Sequence, residues 1–367
     1  EYAICSITPV DQVVYRGTLC CQPTIISACL RHKRKEVTMV RYLSKKITIY
    51  LVTFVVAVTL NWVIPRLVPG DPITSLLARF SGLEGGREIL QSYFVQTFGL
   101  NQSLWSQYLG FWRSLFMGDL GLSITRFPAP VMDIIKNAIF YDFVILLPSI
   151  VLSWIVGNKF GAVSGVNKKA DNLMMPVFYF LTSSPYFWFA LVVSYIFGIV
   201  LGIFPISHAY SATLSPGWNW TFLSDFLMHW FMPFITMFLV QLGGWAIGMR
   251  NMIIYETNTN YSKYMESLGA SKKLIRNYGF RNGVLPQVTG LAVSLGTIIS
   301  GGVLTQVVFA YPGLGYTMVQ AIKQSDYFLI QGCFLFLIMM VLAANFIVDI
   351  VYMMIDPRVR HSYSEEA

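Results

Sequence analysis

Residues able to do chemistry are scarce in this 367-residue chain, and they are poorly spaced for it. The four histidines, His32, His208, His229 and His361, form no H-E-x-x-H pair, so the helical zinc pair of a metalloprotease is missing. Gly161-Ala162-Val163-Ser164-Gly165 places its serine one position late for a G-x-S-x-G nucleophile turn, and no convincing base accompanies it. Glycines around a serine at a helix end fit close packing better. No Gly-Lys dipeptide occurs, so the chain has no phosphate-binding loop and cannot hydrolyse ATP by that route. Ionisable groups inside long apolar stretches are functional candidates by default, and here they are Asp142, Lys159 and Asp349. All three fall near the ends of their stretches, where a side chain reaches the interface or pairs locally. A proton- or sodium-driven carrier would place carboxylates nearer the middle.

The densest polar feature is Tyr264–Pro286, YMESLGASKKLIRNYGFRNGVLP, with Glu266, Lys272, Lys273, Arg276 and Arg281 in a chain that is 12% charged. Tyr261–Leu268 has the length of a short helix. Gly269 permits a sharp turn because it tolerates positive φ, and Ser271 is placed to cap a second helix. Leu274, Ile275 and Tyr278 give that helix an apolar side, and Pro286 marks the entry to the next apolar stretch. Two short helices around a glycine would make a knob for another protein to grip. A solvated basic loop accounts for the same pattern equally well.

The elements that position these residues follow from composition. The chain is 55% hydrophobic, and its charged fraction is half the roughly 25% of a soluble domain, which identifies a membrane protein. Six segments approach the roughly 20 apolar residues of a bilayer-crossing helix: Ile47–Leu67, Tyr141–Val163, Leu173–Leu201, His229–Met249, Gln287–Ala310 and Phe328–Ile355. Only helices suit segments of this length, because unpaired backbone groups are too costly in lipid. The expected fold is therefore an all-α polytopic membrane protein with six transmembrane helices.

Basic residues concentrate in cytoplasmic loops. Arg41, Lys45, Lys46, Lys168, Lys169, Arg250, Lys263, Lys272, Lys273, Arg276, Arg281, Arg358 and Arg360 then all fall inside, whereas the short outer loops Gly202–Met228 and Tyr311–Tyr327 hold only Lys323. Both termini are expected in the cytoplasm, and the net charge of +8 reflects this topology rather than a nucleic-acid surface. A longer outer segment, 68–137, contains an amphipathic helix in which Leu104, Tyr108, Phe111, Trp112, Leu115 and Phe116 recur at helical spacing. Residues 1–38 differ from the rest and hold four of the five cysteines. Lys35-Glu36-Val37 can be encoded by AAGGAGGTG, which contains a ribosome-binding sequence just ahead of the Met39 codon. Translation is therefore expected to start at Met39, leaving 1–38 as a non-native or disordered extension. The basic run Arg31–Lys35 could instead anchor to anionic lipid.

The Tyr261–Pro286 stretch resembles the cytoplasmic loop of permease subunits of ATP-binding-cassette importers, with Gly269 at the glycine position and Arg281, Asn282 and Pro286 at the closing Arg-Asn and Pro. Other signatures follow in order: Pro65-Arg66-Leu67-Val68-Pro69-Gly70-Asp71-Pro72, Gly118-Asp119-Leu120-Gly121-Leu122-Ser123, Phe309-Ala310-Tyr311-Pro312-Gly313-Leu314-Gly315 and Asp356-Pro357-Arg358-Val359-Arg360. Together they resemble the first permease of dipeptide/oligopeptide-type importers, from about Met39 to Arg360. Met265 and Ser267, where many relatives carry Ala, and Tyr278, where they carry His, place the chain in a divergent branch.

The resemblance implies an importer-type permease core at 138–360, with a first helix at 39–67, a coupling loop at 250–286 and a tail at 361–367. It implies a homologous second permease, two cytoplasmic ATPase subunits, an extracytoplasmic solute-binding protein and no cofactor in this chain. Tyr261, Met265, Glu266, Gly269, Ala270 and Ser271 would couple to an ATPase. Ser294, Thr297, Gly301 and Thr305 recur at helical spacing and would line the translocation pathway, although small residues also simply allow close helix packing. The 68–137 segment would help to receive the binding protein. Short peptides and oligosaccharides such as cellobiose or other β-glucosides both remain open, with a slight lean to the sugars from the divergent branch; the outer-loop aromatics Tyr210, Trp218 and Trp220 could stack on sugar rings but also suit a membrane interface. A stand-alone carrier or channel is the competing class.

Overall fold

The computed structural model describes residues 23–67, 92–93, 95–96, 101–296 and 302–355. Its helices are α1 (Pro23–Leu67), α2 (Leu104–Met117), α3 (Val131–Ser164), α4 (Lys168–Ser183), α5 (Tyr186–Val193, continued by a π-helical stretch Ser194–Val200), α6 (Trp220–Thr257), α7 (Asn260–Ser267), α8 (Lys272–Gly296), α9 (Val303–Val308), α10 (Leu314–Lys323) and α11 (Tyr327–Ile355). Among the described residues there is no strand, only an isolated bridge between Leu122 and Pro130. The chain divides into a unit of Glu1–Ile49 with Asp356–Ala367 and a unit of Tyr50–Ile355. In the first, the Thr48 hydroxyl donates to the Ser44 carbonyl at 2.9 Å. The side-chain contacts described below lie in the second.

Among the described residues, four helical stretches are long and apolar enough to cross a membrane: Ser44–Leu67, Val131–Ser164, Trp220–Thr257 and Tyr327–Ile347. They correspond to the expected first, second, fourth and sixth spans. The expected third span, Leu173–Leu201, is broken: α4 and the α5 stretch meet at 106°. Pro185 supplies no N–H and forces the preceding residue out of the helical region, so Ser184 is extended at φ −77°, ψ 127°. The expected fifth span runs through residues 297–301, which lie outside the described residues. Two spans begin earlier than their hydropathy: α3 starts at Val131 rather than Tyr141, and α6 at Trp220 rather than His229. Helical hydrogen bonding continues through polar residues that an apolar window rejects, and Asn219 caps α6 by accepting from Phe222 N at 2.7 Å.

The centre of the unit is the crossing of α3 with α6. Gly157, Gly161 and Gly165 recur every four residues along one face of α3. A Cβ built on Gly157 would lie 2.6 Å from Trp245 Cβ, and one on Gly165 2.7 Å from Ile253 Cβ; on Gly161 it would run into the Ala246 carbonyl. Absent side chains let the two helix backbones approach, as small residues do in membrane bundles. The Gly161–Gly165 serine motif thus serves packing, and the Ser164 hydroxyl meets the Met174 sulfur at 3.6 Å. Around the crossing, Ile145, Leu146, Met232 and Met237 form the buried core with Phe309, Leu314 and Leu329. At one end of α6, Arg250 grips Asp171 of α4 through two bonds, Nε to Oδ1 at 2.8 Å and Nη2 to Oδ2 at 2.6 Å. This fork-to-fork pair fixes the start of α4 beside the end of α6.

Candidate coupling segment and translocation cavity

The coupling segment forms where α6 leaves the bundle. α7 closes in a Schellman turn: Gly269 N–H donates to the Glu266 carbonyl at 2.9 Å and Ala270 N–H to the Met265 carbonyl at 3.0 Å. This geometry needs a left-handed residue after the helix, and Gly269 supplies it at φ 79°. Ser271 then caps α8, its hydroxyl accepting from Leu274 N at 3.3 Å. The helix–glycine–helix outline expected from sequence is therefore present, with α7 shifted one residue toward the N-terminus.

A polar latch holds this knob to its supports. The Tyr261 hydroxyl donates to Glu256 Oε2 at 2.6 Å, and Asn282 Nδ2 on α8 reaches both the Tyr261 hydroxyl at 3.1 Å and Glu256 Oε2 at 3.3 Å. The Ser262 hydroxyl adds a bond to the Glu256 carbonyl at 2.7 Å. Three helices are thereby tied at one point. Glu256 was not singled out from sequence; its spacing from Tyr261 hinted at the contact, but the reach to Asn282 needed the fold. Glu266, Gly269 and Ser271 are exposed, and Met265 and Ala270 half-buried. Beside them Tyr264, Leu268, Leu274 and Tyr278 leave large apolar surfaces open.

The second candidate site is a cavity of about 640 Å³ at the α4–α5 break, against α3, α6 and α8. Thr182, Ser183, Gln241, Trp245, Gln287 and Ser294 contribute to its wall, and among the described residues no Asp, Glu, Lys or Arg does. Such a wall offers hydroxyls, amides and one indole face to a solute. Of the expected pathway residues, Ser294 lies here. Thr297 and Gly301 lie outside the described residues. Thr305 is fully buried on α9, away from the cavity wall. Of the stripe's described members, Ser294 contributes to this cavity's wall and Thr305 does not.

Two carboxylates organise the other end of the bundle. Asp142 is 1% exposed. It neither snorkels nor sits at a helix end, because α3 begins well before it. Its Oδ1 accepts from Gln306 Nε2 at 2.6 Å, and its Oδ2 accepts the Leu314 N–H at 3.1 Å where α10 starts. Negative charge at a helix N-terminus is stabilising. Gln306 Oε1 in turn accepts from Tyr316 N at 3.2 Å. The Phe309–Gly315 signature wraps this network, and Gly313 is required because a Cβ there would meet both Asp142 and Gln306 side chains. Asp326, fully buried, likewise accepts from the Ser123 hydroxyl at 2.5 Å, from Thr125 N at 2.9 Å and from Leu329 N at 3.1 Å, joining the Gly118–Ser123 signature to the start of α11. Asp349, the other carboxylate in an apolar stretch, accepts from the Tyr50 hydroxyl at 2.7 Å.

Residues 149–361 match the family described as the binding-protein-dependent transport system inner membrane component. The chain belongs to that family. This binding-protein-dependent permease is 25% identical over 351 residues to the di/tripeptide transport system permease protein DppB of Pseudomonas aeruginosa, covering 88% of this chain and 99% of that one. It is 27% identical over 306 residues to the oligopeptide transport system permease protein AppB of Bacillus subtilis, covering 82% and 93%. It is also 29% identical over 319 residues to the probable D,D-dipeptide transport system permease protein DdpB of Escherichia coli, covering 82% and 92%. The chain is thus a multi-pass, non-catalytic membrane subunit of an importer, as the ordered signatures implied. Nothing in these relatives' names supports the lean toward sugars.

Proposed function

We propose that this permease carries short peptides, delivered by an extracytoplasmic solute-binding protein, across the membrane together with a homologous second permease. Two cytoplasmic ATPase subunits supply the energy, one of them gripping the α7–Gly269–α8 knob, and this chain needs no cofactor of its own. Both termini and the knob face the cytoplasm, in keeping with the basic loops. The observation that carries the proposal is the knob itself. A turn of fixed geometry, latched at Glu256, Tyr261 and Asn282, projects Tyr264, Leu268, Leu274 and Tyr278 from a basic surface. A flexible solvated loop needs neither the latch nor the apolar projections. The peptide assignment is supported by the named cargo of the relatives. The described cavity wall, which mixes hydroxyls and amides with apolar side chains, suits a short peptide, and its Ser294 would contact solute.

The test is uptake into vesicles containing the reconstituted complex, with binding protein supplied outside and ATP inside. ATP-dependent uptake of di- to oligopeptides, and ATPase stimulation by peptide-loaded binding protein, are expected. Stimulation by binding protein loaded with a β-linked oligosaccharide and never with peptide would reverse the substrate assignment. Uptake without any ATPase subunit would overturn the importer reading.

A further inference from the structure

The amphipathic helix α2 has apolar side chains pointing in two directions, and among the described residues only one direction packs on another helix. Toward α1, the Tyr108 hydroxyl lies 2.9 Å from the Thr59 hydroxyl and its ring centroid 5.2 Å from that of Trp62. One turn on, the Trp112 ring is 6.4 Å from Phe54. At the end of α1, Arg66 lies 3.9 Å from the Trp62 ring centroid and donates from Nη2 to Gln107 Oε1 at 3.3 Å. These contacts form a ladder down the first span, from its end at Arg66 toward its middle at Phe54.

The ladder sets a depth. The apolar stretch Ser44–Leu67 places Phe54 ten residues from one end and thirteen from the other. At about 1.5 Å per residue this is roughly 15–20 Å from either end, well inside a hydrocarbon layer about 30 Å thick. That conclusion holds whichever way the helix crosses. A helix whose third turn touches Phe54 is not held out in bulk water.

About 60° round the helix from the α1-facing Tyr108 and Trp112, Trp105, Leu109 and Phe116 are 72%, 63% and 82% exposed. At about 100° per residue they share a sector roughly 40° wide. The next sector round the helix is polar: Ser106, Gly110 and Ser114 open onto a groove of about 210 Å³ that Arg66 and Asp119 also line. One edge of α2 lines this groove, another packs on α1, and a third presents exposed apolar side chains beside the first span.

We propose that α2 is a half-inserted helix of one bilayer leaflet, its Trp105–Leu109–Phe116 face embedded among phospholipid acyl chains. The partner of this face is lipid, and the helix acts as a wedge that braces the first span. Reception of the binding protein then falls to the rest of the 68–137 segment. An interfacial helix of this kind characteristically combines an apolar face with a polar one and sinks its apolar face into the acyl boundary.

The test uses the full chain, assembled with its partner subunits in phospholipid nanodiscs. A photoreactive diazirine amino acid is placed at position 109, 116 or 106, and the adducts formed on irradiation are weighed by mass spectrometry. Phospholipid adducts are expected to dominate at 109 and 116, and water adducts at 106. Water adducts at 109 and 116 would overturn the proposal, as would cross-links from those positions to another subunit or to the binding protein. A second measurement needs only a mild change. In nanodiscs with brominated acyl chains, Trp105→Phe should remove part of the bromine-quenched tryptophan emission of the natural chain. An unchanged quenched component would place Trp105 outside the lipid and sink the idea.

Discussion

The Asp142 carboxylate and the Gln306 side-chain amide meet at 2.6 Å although 164 residues separate them in the chain. Their contact joins α3 to the short helix α9, and the backbone N–H of Leu314 completes it at 3.1 Å. A buried carboxylate removed from such a setting leaves its donors unsatisfied, and each lost partner costs about 1–3 kcal/mol.

Asp142→Ala should therefore destabilise the permease by a few such increments, and Gly313→Ala should do so from the opposite side by driving a methyl group into the Asp142 and Gln306 side chains. The expected result is a lowered thermal transition of the detergent-solubilised complex for both variants. Their effects should be less than additive in the double variant, because they disrupt one network. Full additivity would show that the two residues act independently.

Gly269→Val should strain the turn by about 1–3 kcal/mol, because a branched residue is forced to positive φ. No neighbouring atom lies within 4 Å of a Cβ at this position, so the cost is conformational rather than steric crowding by the bundle. The subunit should still insert and pair with its partner permease, while ATPase co-purification and ATP-driven uptake fall. Glu266→Ala should have a smaller effect, since an exposed pair with a basic partner residue is worth under about 1 kcal/mol. Normal assembly with normal uptake for Gly269→Val would reduce this stretch to a solvated loop.

The α3–α6 crossing allows a direct contrast between glycines. Gly161→Leu should abolish assembly, because even its first carbon collides with the Ala246 carbonyl, whereas Gly110→Ala on α2 meets nothing within 4 Å and should be nearly neutral. Yield of intact complex after size-exclusion chromatography distinguishes the two. Comparable losses at both positions would contradict the packing account.

Topology is open to labelling. Single cysteines replacing Lys168 and Lys272 should resist a membrane-impermeant thiol reagent in intact cells, whereas those replacing Gln102 and Lys323 should react. The bidentate Asp171–Arg250 pair already places the Lys168 end of α4 with the end of α6 that leads into the coupling segment. Labelling at position 272 in intact cells would invert the assignment.

Much of this protein is legible one segment at a time. Hydropathy over some 20 residues marks a membrane helix wherever the rest of the chain goes, and so the four unbroken spans among the described residues were foreseeable from hydropathy alone. The Gly269 turn and the Ser271 cap are equally local, since glycine's freedom at positive φ and a hydroxyl's reach to the third N–H ahead depend on nearby residues only. Other features were settled by partners distant in sequence. Pro185 hinted at a break, but a bend of 106° opening onto a cavity required α3, α6 and α8 to stand around it. The same holds for Asp142: its burial is tolerable only because Gln306 and the start of α10 arrive to hydrogen-bond it, and no rule acting over a few residues names a partner so far along the chain. Thr305 sits at the helical spacing of a pathway residue, yet packing rather than spacing decides which side chains face a cavity, and it lies fully buried on α9.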